Sequence, residues 1–288
     1  MAAPVPAGWR TLSADASGLT RTRKELLRAA RIVAAVADSY LEPMPDESER
    51  SMEWLSTGIL AGQNVDAPVP FRAGIRPTDL TLVLLGPDDE PADEIALDGL
   101  TPDQAQDALD RAVKRLQQGR PSGPIRRSPD PTDEAVLTDS PFLRGTAESG
   151  SVLADWYHDA ALVLEQLRIG RSRVSDTRCS LPTLKIETVM NVAVEPAGRG
   201  TRSIGTGLNP GDSTFAEPYW YVCPWPWPSH PGLPALPGNA EWHQGEWMGA
   251  VLRGSRIVQD DGAGQASEVT AFFNAGIDAC TTLLAGSV

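Results

Sequence analysis

Gly211-Asp-Ser-Thr-Phe-Ala-Glu-Pro-Tyr-Trp-Tyr-Val-Cys-Pro-Trp-Pro-Trp-Pro228, continued by Trp242-His-Gln-Gly-Glu-Trp247, is the stretch on which the fold of this chain turns. Tyr219 to Cys223 is an unbroken run of strand-forming residues, and successive side chains of a strand point to opposite faces. Tyr219 and Tyr221 therefore share one face and Trp220 takes the other, so one side is core and the other is available as a substrate wall. Pro224, Pro226 and Pro228 alternate with Trp225 and Trp227 and supply no ladder donors, which puts this end at a sheet edge or in a rigid loop. Five of the eight tryptophans and two of the three histidines (His230 and His243) fall between Tyr219 and Trp247. That density suits a pocket wall, a partner surface or plain aromatic packing.

Outward from this stretch, further extended segments are expected at 184–194, 203–208 and 247–252. Helices are expected at 151–168, with Leu153, Trp156, Ala160, Val163 and Leu167 inward, and at 267–285, with Val269, Phe273, Gly276, Cys280 and Leu283 as the apolar stripe. Toward the N-terminus, Thr22-Arg-Lys-Glu25 reads as a capping box opening a helix over 22–41. Short extended segments follow at 52–60, 71–75, 80–85 and 94–97. Thr101-Pro-Asp-Gln104 is a strong helix start, with Gly119 ending that helix. The order helix, about four strands, helix thus occurs twice, which suggests an internal duplication. The expected architecture is α+β: two similar halves, 1–120 and 146–288, with antiparallel sheets and helices packed on one face. A Pro/Gly-rich linker over 121–145 separates them, and a pocket is expected where the halves meet.

Composition narrows the function classes. A length of 288 residues with 41% hydrophobic content is enough for a substantial core. A net charge of -13 argues against a phosphate-backbone partner, because counterion release needs a basic face. The basic run Arg21 to Arg31 falls on a predicted helix and reads as a solvated face. Met1-Ala-Ala-Pro-Val-Pro6 does not read as a cleavable leader, and no stretch reaches the roughly 18 apolar residues of a membrane span. Cys179, Cys223 and Cys280, odd in number and far apart, form neither a disulfide framework nor a zinc knuckle. A cytoplasmic location is expected, without nucleic acid, membrane, metal or other cofactor. Lysine occurs only at 24, 114 and 185 beside abundant Arg, Ala and Pro, the usage of a high-GC, actinobacterium-like genome.

Arg178-Cys179, Gly207-Leu-Asn-Pro-Gly-Asp212, Ala216-Glu-Pro-Tyr-Trp-Tyr-Val222, Pro224-Trp-Pro-Trp-Pro228, Trp242-His243 and Gly249-Ala-Val-Leu252 together resemble a family of uncharacterised bacterial proteins common in actinobacteria and planctomycetes. The resemblance covers roughly 178–284. Family members carry His-His-Phe-Asp shortly after the Arg-Cys, where this chain reads Pro182-Thr-Leu-Lys185. The departure implies a specialised branch, such as a natural-product enzyme that closes a strained nitrogen ring (an aziridine).

No glycine-rich nucleotide loop or nucleophile elbow is present, and Gly205-Thr-Gly207 lacks a third glycine and reads as a turn fragment. Acid–base candidates are Glu187, within an apolar strand, Glu53, placed similarly before Trp54, and Glu217, held extended by Pro218. A carboxylate against apolar walls is disfavoured as an anion, which suits it to proton transfer; an outward-facing strand residue is the plainer reading of each. His243 is a second proton carrier or a structural histidine. Lys185 is placed to steady a departing anion or is a surface lysine. Trp9, Trp54, Asp212, Tyr219, Tyr221 and Trp242 complete the expected binding surface, although capping a turn is the plainer reading of Asp212. The expected function is a cofactor-independent enzyme of specialised metabolism. It would act on a polar, amine-bearing small molecule, free or on a carrier protein, by acid/base-assisted displacement or cyclisation. The alternative is a binding or assembly protein without turnover.

Overall fold

In the computed structural model, residues 6–13, 16–118, 120, 123–126, 139–181, 183–192, 202–228 and 232–286 are described. Among them lie five α-helices and two antiparallel sheets of five and six strands, an α+β fold. The chain divides into two compact units, residues 15–154 with 178–184, and residues 1–14 with 155–177 and 185–288.

The first unit opens with α1 (Ala16–Tyr40), which starts upstream of the expected capping box. Thr22 is buried inside the helix, its hydroxyl 2.7 Å from that of Ser149, while Glu25 pairs with Arg28. With a hydroxyl partner available, Thr22 has no helix end to cap. A meander follows: β1 (Glu53–Trp54), β2 (Leu60–Ala61), β3 (Arg72–Arg76), β4 (Thr81–Leu85) and β5 (Pro91–Ala96), each paired with the next. The single extended segment expected at 52–60 is divided by a turn in which Gly58, at φ 83°, donates to Leu55 O. Only glycine takes that backbone region at little cost. α2 (Pro102–Leu116) starts as read, with Thr101 and Gln104 capping each other. Gly119, the expected end of that helix, and residues 121–122 and 127–138 of the expected linker lie outside the described residues. Flanking parts are tied down: Ile125 N donates to Asp110 Oδ1 and Phe142 bridges to Asp98.

The chain passes from one unit to the other within α3 (Ala147–Gly170), between Ala154 and Asp155. It starts earlier than expected because the Thr146 hydroxyl accepts from Ser149 N at 3.1 Å. The short β6 (Arg178–Ser180) belongs with the first unit, where Cys179 bridges Met52.

The second unit is built on β7 (Lys185–Val192), β8 (Arg202–Asn209), β9 (Tyr219–Trp225), β10 (Glu241–Gln244) and β11 (Met248–Arg253), in the order β10-β11-β9-β8-β7. The one-turn α4 (Gly254–Ile257) and the long α5 (Gly262–Gly286) follow. Asp261 caps α5 by accepting from Gly264 N at 2.8 Å, which offsets the poor helix propensity of Gly262 and Gly264 and starts it before the expected position. α5 covers one face of the sheet. Phe273 meets the fully buried Trp220 edge-on at 5.7 Å, and a Cβ on Gly276 would lie 2.9 Å from Val222. Trp156 of α3 and Trp9 extend this cluster, at 5.8 and 6.4 Å from Trp220. Residues 6–13 are strapped beside it: Gln265 exchanges hydrogen bonds with both backbone groups of Leu12, and Arg10 N donates to Asp159.

Candidate active site

The face of this sheet opposite α5 holds most of the candidate residues. In the strand register, Glu187, Gly207, Tyr221, Val251 and Glu241 stand in one row across β7, β8, β9, β11 and β10. Side chains in such a row project to the same face. Because Gly207 has none, Tyr221 reaches across β8 and its hydroxyl donates to Glu187 Oε2 at 2.6 Å. A methyl at Gly207 would come within 2.3 Å of Ile186 O and 2.9 Å of Glu187 Cβ. Gly205-Thr-Gly207 is thus mid-strand rather than a turn, and Gly207 opens the row that joins Glu187 and Tyr221.

Lys185 Nζ completes the group, 3.0 Å from Glu187 Oε2 and 5.9 Å from the centre of the Tyr221 ring. The two bases of support differ. The Lys185 side chain is 37% exposed, whereas that of Glu187 is 15% exposed and Tyr221 is buried. Burial, then the adjacent Glu187 carboxylate, pushes the Tyr221 hydroxyl well above its usual range. It is therefore a neutral donor throughout the ordinary pH range, and its role is to hold Glu187. Oε2 takes both donors, while Oε1 has no partner among the described residues.

Gly205, in the next row, pairs with Cys223. A Cβ there would stand 3.9 Å from Glu187 Oε2, so β8 puts no side chain next to that oxygen. The half-buried Cys223 donates its S–H to Met248 O at 3.0 Å. Burial raises its thiol above the usual value, with Trp227 and Lys185 pulling the other way. This thiol is a poor nucleophile in its present setting.

An aromatic group borders the row. Trp247 stacks on Tyr219 at 6.2 Å and meets Tyr221 at 6.4 Å; His243 lies 4.6 Å from Trp247 and 5.6 Å from Phe215. Gly249 and Gly245 make the room, since a Cβ on either would fall 2.8 Å from the Trp247 or the His243 ring. His243 Nε2 is buried without a hydrogen-bond partner among the described residues. Arg253, paired with Glu241 at 3.0 Å, lies over Phe215 at 5.8 Å.

The remaining sequence candidates sit elsewhere. Asp212 is fully engaged in the turn between β8 and β9, accepting from Tyr219 Oη, Asn209 Nδ2, Thr214 N and Phe215 N. It fixes Tyr219 and places Phe215 against it. Both Glu217 oxygens are taken by Ser255, at the first turn of α4. Trp242 alternates to the opposite face from His243 and donates to Pro234 O at 2.8 Å. Trp9 stacks in the α5-side cluster. Glu53 and Trp54 belong to the first unit, where Glu53 is 52% exposed and pairs with the buried Arg72 at 2.6 Å. His230 lies outside the described residues. Sequence reading did not single out Gly205, Gly207, Cys223, Phe215, Trp247 or Arg253 as site residues. The even spacing of the glycines within an otherwise strand-like run was the available signal.

Among the described residues, no three His, Cys, Asp or Glu side chains are grouped to hold a metal ion, and no helix is long and apolar enough to cross a membrane. A cleft of about 510 Å³ in the first unit, lined by Arg21, Arg144 and Glu148 among others, contains none of the expected site residues. Comparison with models of known protein families, with curated proteins and with solved structures finds no match.

Proposed function

We propose that the second unit is the catalytic part of a cofactor-independent biosynthetic enzyme. Its substrate is an amine-bearing small molecule that undergoes intramolecular displacement, and Glu187 is the general base. One observation carries the reading: Oε2 of Glu187 is fixed by Tyr221 and Lys185, while Oε1 has no partner among the described residues. A carboxylate held in one orientation with one oxygen free is suited to accept a proton from a bound nucleophile.

The step balances as follows. The substrate nitrogen forms a bond to a carbon bearing an ester oxygen, and the carbon–oxygen bond breaks with its electron pair leaving on that oxygen. The proton lost from nitrogen goes to Glu187. Lys185, cationic and partly open to solvent, steadies the departing anion, and protonation of Glu187 releases Lys185 from its ion pair at the moment the anion forms. Closing a three-membered nitrogen ring is the version suggested by the family resemblance. The substrate is free or carried on a partner protein. The three free thiols support a reduced, cytoplasmic setting, and the acidic charge supports a role without nucleic acid.

The alternative, a small-molecule-binding or assembly protein without turnover, is favoured by the exposed pair Trp225 and Trp227. Proton NMR of the full chain with a 2-aminoalkyl sulfate separates the two. The enzyme reading expects ring-closed amine and free sulfate faster than in buffer, with Glu187→Gln lowering the rate roughly a hundredfold or more. Binding without conversion supports the alternative.

A further inference from the structure

We infer that the Trp225–Trp227 pair is a subsite for a flat aromatic group at the far end of the substrate, so that the ligand class is an aryl-substituted alkylamine. The inference rests on the proposed placement of the amine at Glu187. Trp225 is 57% and Trp227 43% exposed, and their rings meet edge-to-face at 5.8 Å with an interplanar angle of 84°. Two exposed indoles in mutual contact form an apolar notch: a flat group lying on one ring meets the other at its edge, a favoured aromatic arrangement. Trp225 is anchored as the last residue of β9, paired with Ser203, and Pro224, Pro226 and Pro228 restrict the backbone around both rings. A preordered surface loses little entropy on binding.

Its position relative to the carboxylate gives the pair meaning. Tyr221, Cys223 and Trp225 alternate onto one face of β9, and Gly205 stands beside Cys223. From the Gly205–Cys223 row to Trp225 is two residues, about 7 Å along the strand. The Gly205–Cys223 row therefore lies between the Glu187 row and the row of Trp225. The amine belongs at the charged end, because Glu187 supplies the anion; the notch has apolar rings to offer a second group.

Isothermal titration of the full chain with 4-phenylbutylamine and with n-butylamine tests this. Wild type should bind the aryl amine roughly tenfold more tightly than the alkyl amine. The double variant Trp225→Ala/Trp227→Ala should lose that ratio, Trp225→Phe should keep most of it, and Glu187→Gln should weaken both amines while leaving the ratio intact. Loss of the ratio in the tryptophan variant with no effect of Glu187→Gln keeps the aromatic subsite and removes the amine placement. Equal affinity of wild type for both amines, an unchanged ratio in the tryptophan variant, or no binding of either amine at millimolar concentration overturns the subsite. Circular dichroism of each variant checks that the fold is retained.

Discussion

Strand β9 presents two different proteins to its two sides. Toward α5 it offers Trp220, Val222 and Pro224, all buried, against Phe273, Gly276 and Trp156. Toward the other side it offers Tyr219, Tyr221, Cys223 and Trp225, each tied to a polar or aromatic neighbour: Asp212, Glu187, Met248 O and Trp227. The first face is built by volume, the second by hydrogen bonds that span strands through glycine. Substitutions on the first should therefore cost stability, and substitutions on the second should alter binding and chemistry at small cost to the fold.

Trp220→Ala is the severest way to break that contrast. Removing a fully buried indole from the α5 side should destabilise the protein by about 3–5 kcal/mol in urea denaturation. Next comes Asp159, on the α5-side periphery, fully buried and receiving Arg10 N. Burial is the chief cause of its carboxyl rising to about 7; Asp155 adds to this, while the backbone amide and the charge of Arg10 oppose it. The unfolded side chain ionises near pH 4 and the folded one near 7. Between those values the folded state holds the extra proton, so stability should fall as pH rises, by a few kcal/mol in all, and level off above 7. Asp159→Asn should flatten this slope; an unaltered slope would show that the carboxyl does not titrate there.

On the opposite face the expected effects are smaller. Gly207→Ala forces a methyl against Ile186 O and should cost about 1–3 kcal/mol while displacing Glu187. Gly205→Ala, with its methyl in open contact, should leave the denaturation midpoint unchanged yet weaken amine binding. Equal stability losses at 205 and 207 would contradict the glycine-spanned row. Tyr221→Phe should cost about 1 kcal/mol for one hydrogen bond, with its main effect visible in turnover.

Much of the frame was legible in the sequence. The alternation through Tyr219-Trp-Tyr set Trp220 on the opposite face from the two tyrosines, and Thr101-Pro-Asp-Gln104 and the apolar stripe at Phe273 and Gly276 marked their helices. Helix starts that depend on a distant or unusual partner were not, as at Thr22, whose hydroxyl meets Ser149, and at Asp261, which caps across two glycines. β10 was missed because a four-residue strand alternating with polar residues has too short a period to read. At the site, residue type could nominate Glu187, Lys185 and Tyr221 separately. It could not join them, because the joining is done by register through Gly207, which carries no side chain to notice. Nor could it separate Glu187 from Glu53, since each is a strand carboxylate near aromatics. Their partners separate them: Arg72 is buried and Glu53 exposed, whereas Glu187 is enclosed and Lys185 open.

That last contrast supplies the most direct test. Turnover of a 2-aminoalkyl sulfate and the urea midpoint should be measured side by side for wild type, Glu53→Gln and Glu187→Gln. The account predicts that Glu187→Gln alone loses turnover, roughly a hundredfold or more, with its midpoint stability within about 1 kcal/mol of wild type. Turnover unchanged in Glu187→Gln, or lost equally in both variants, would contradict it.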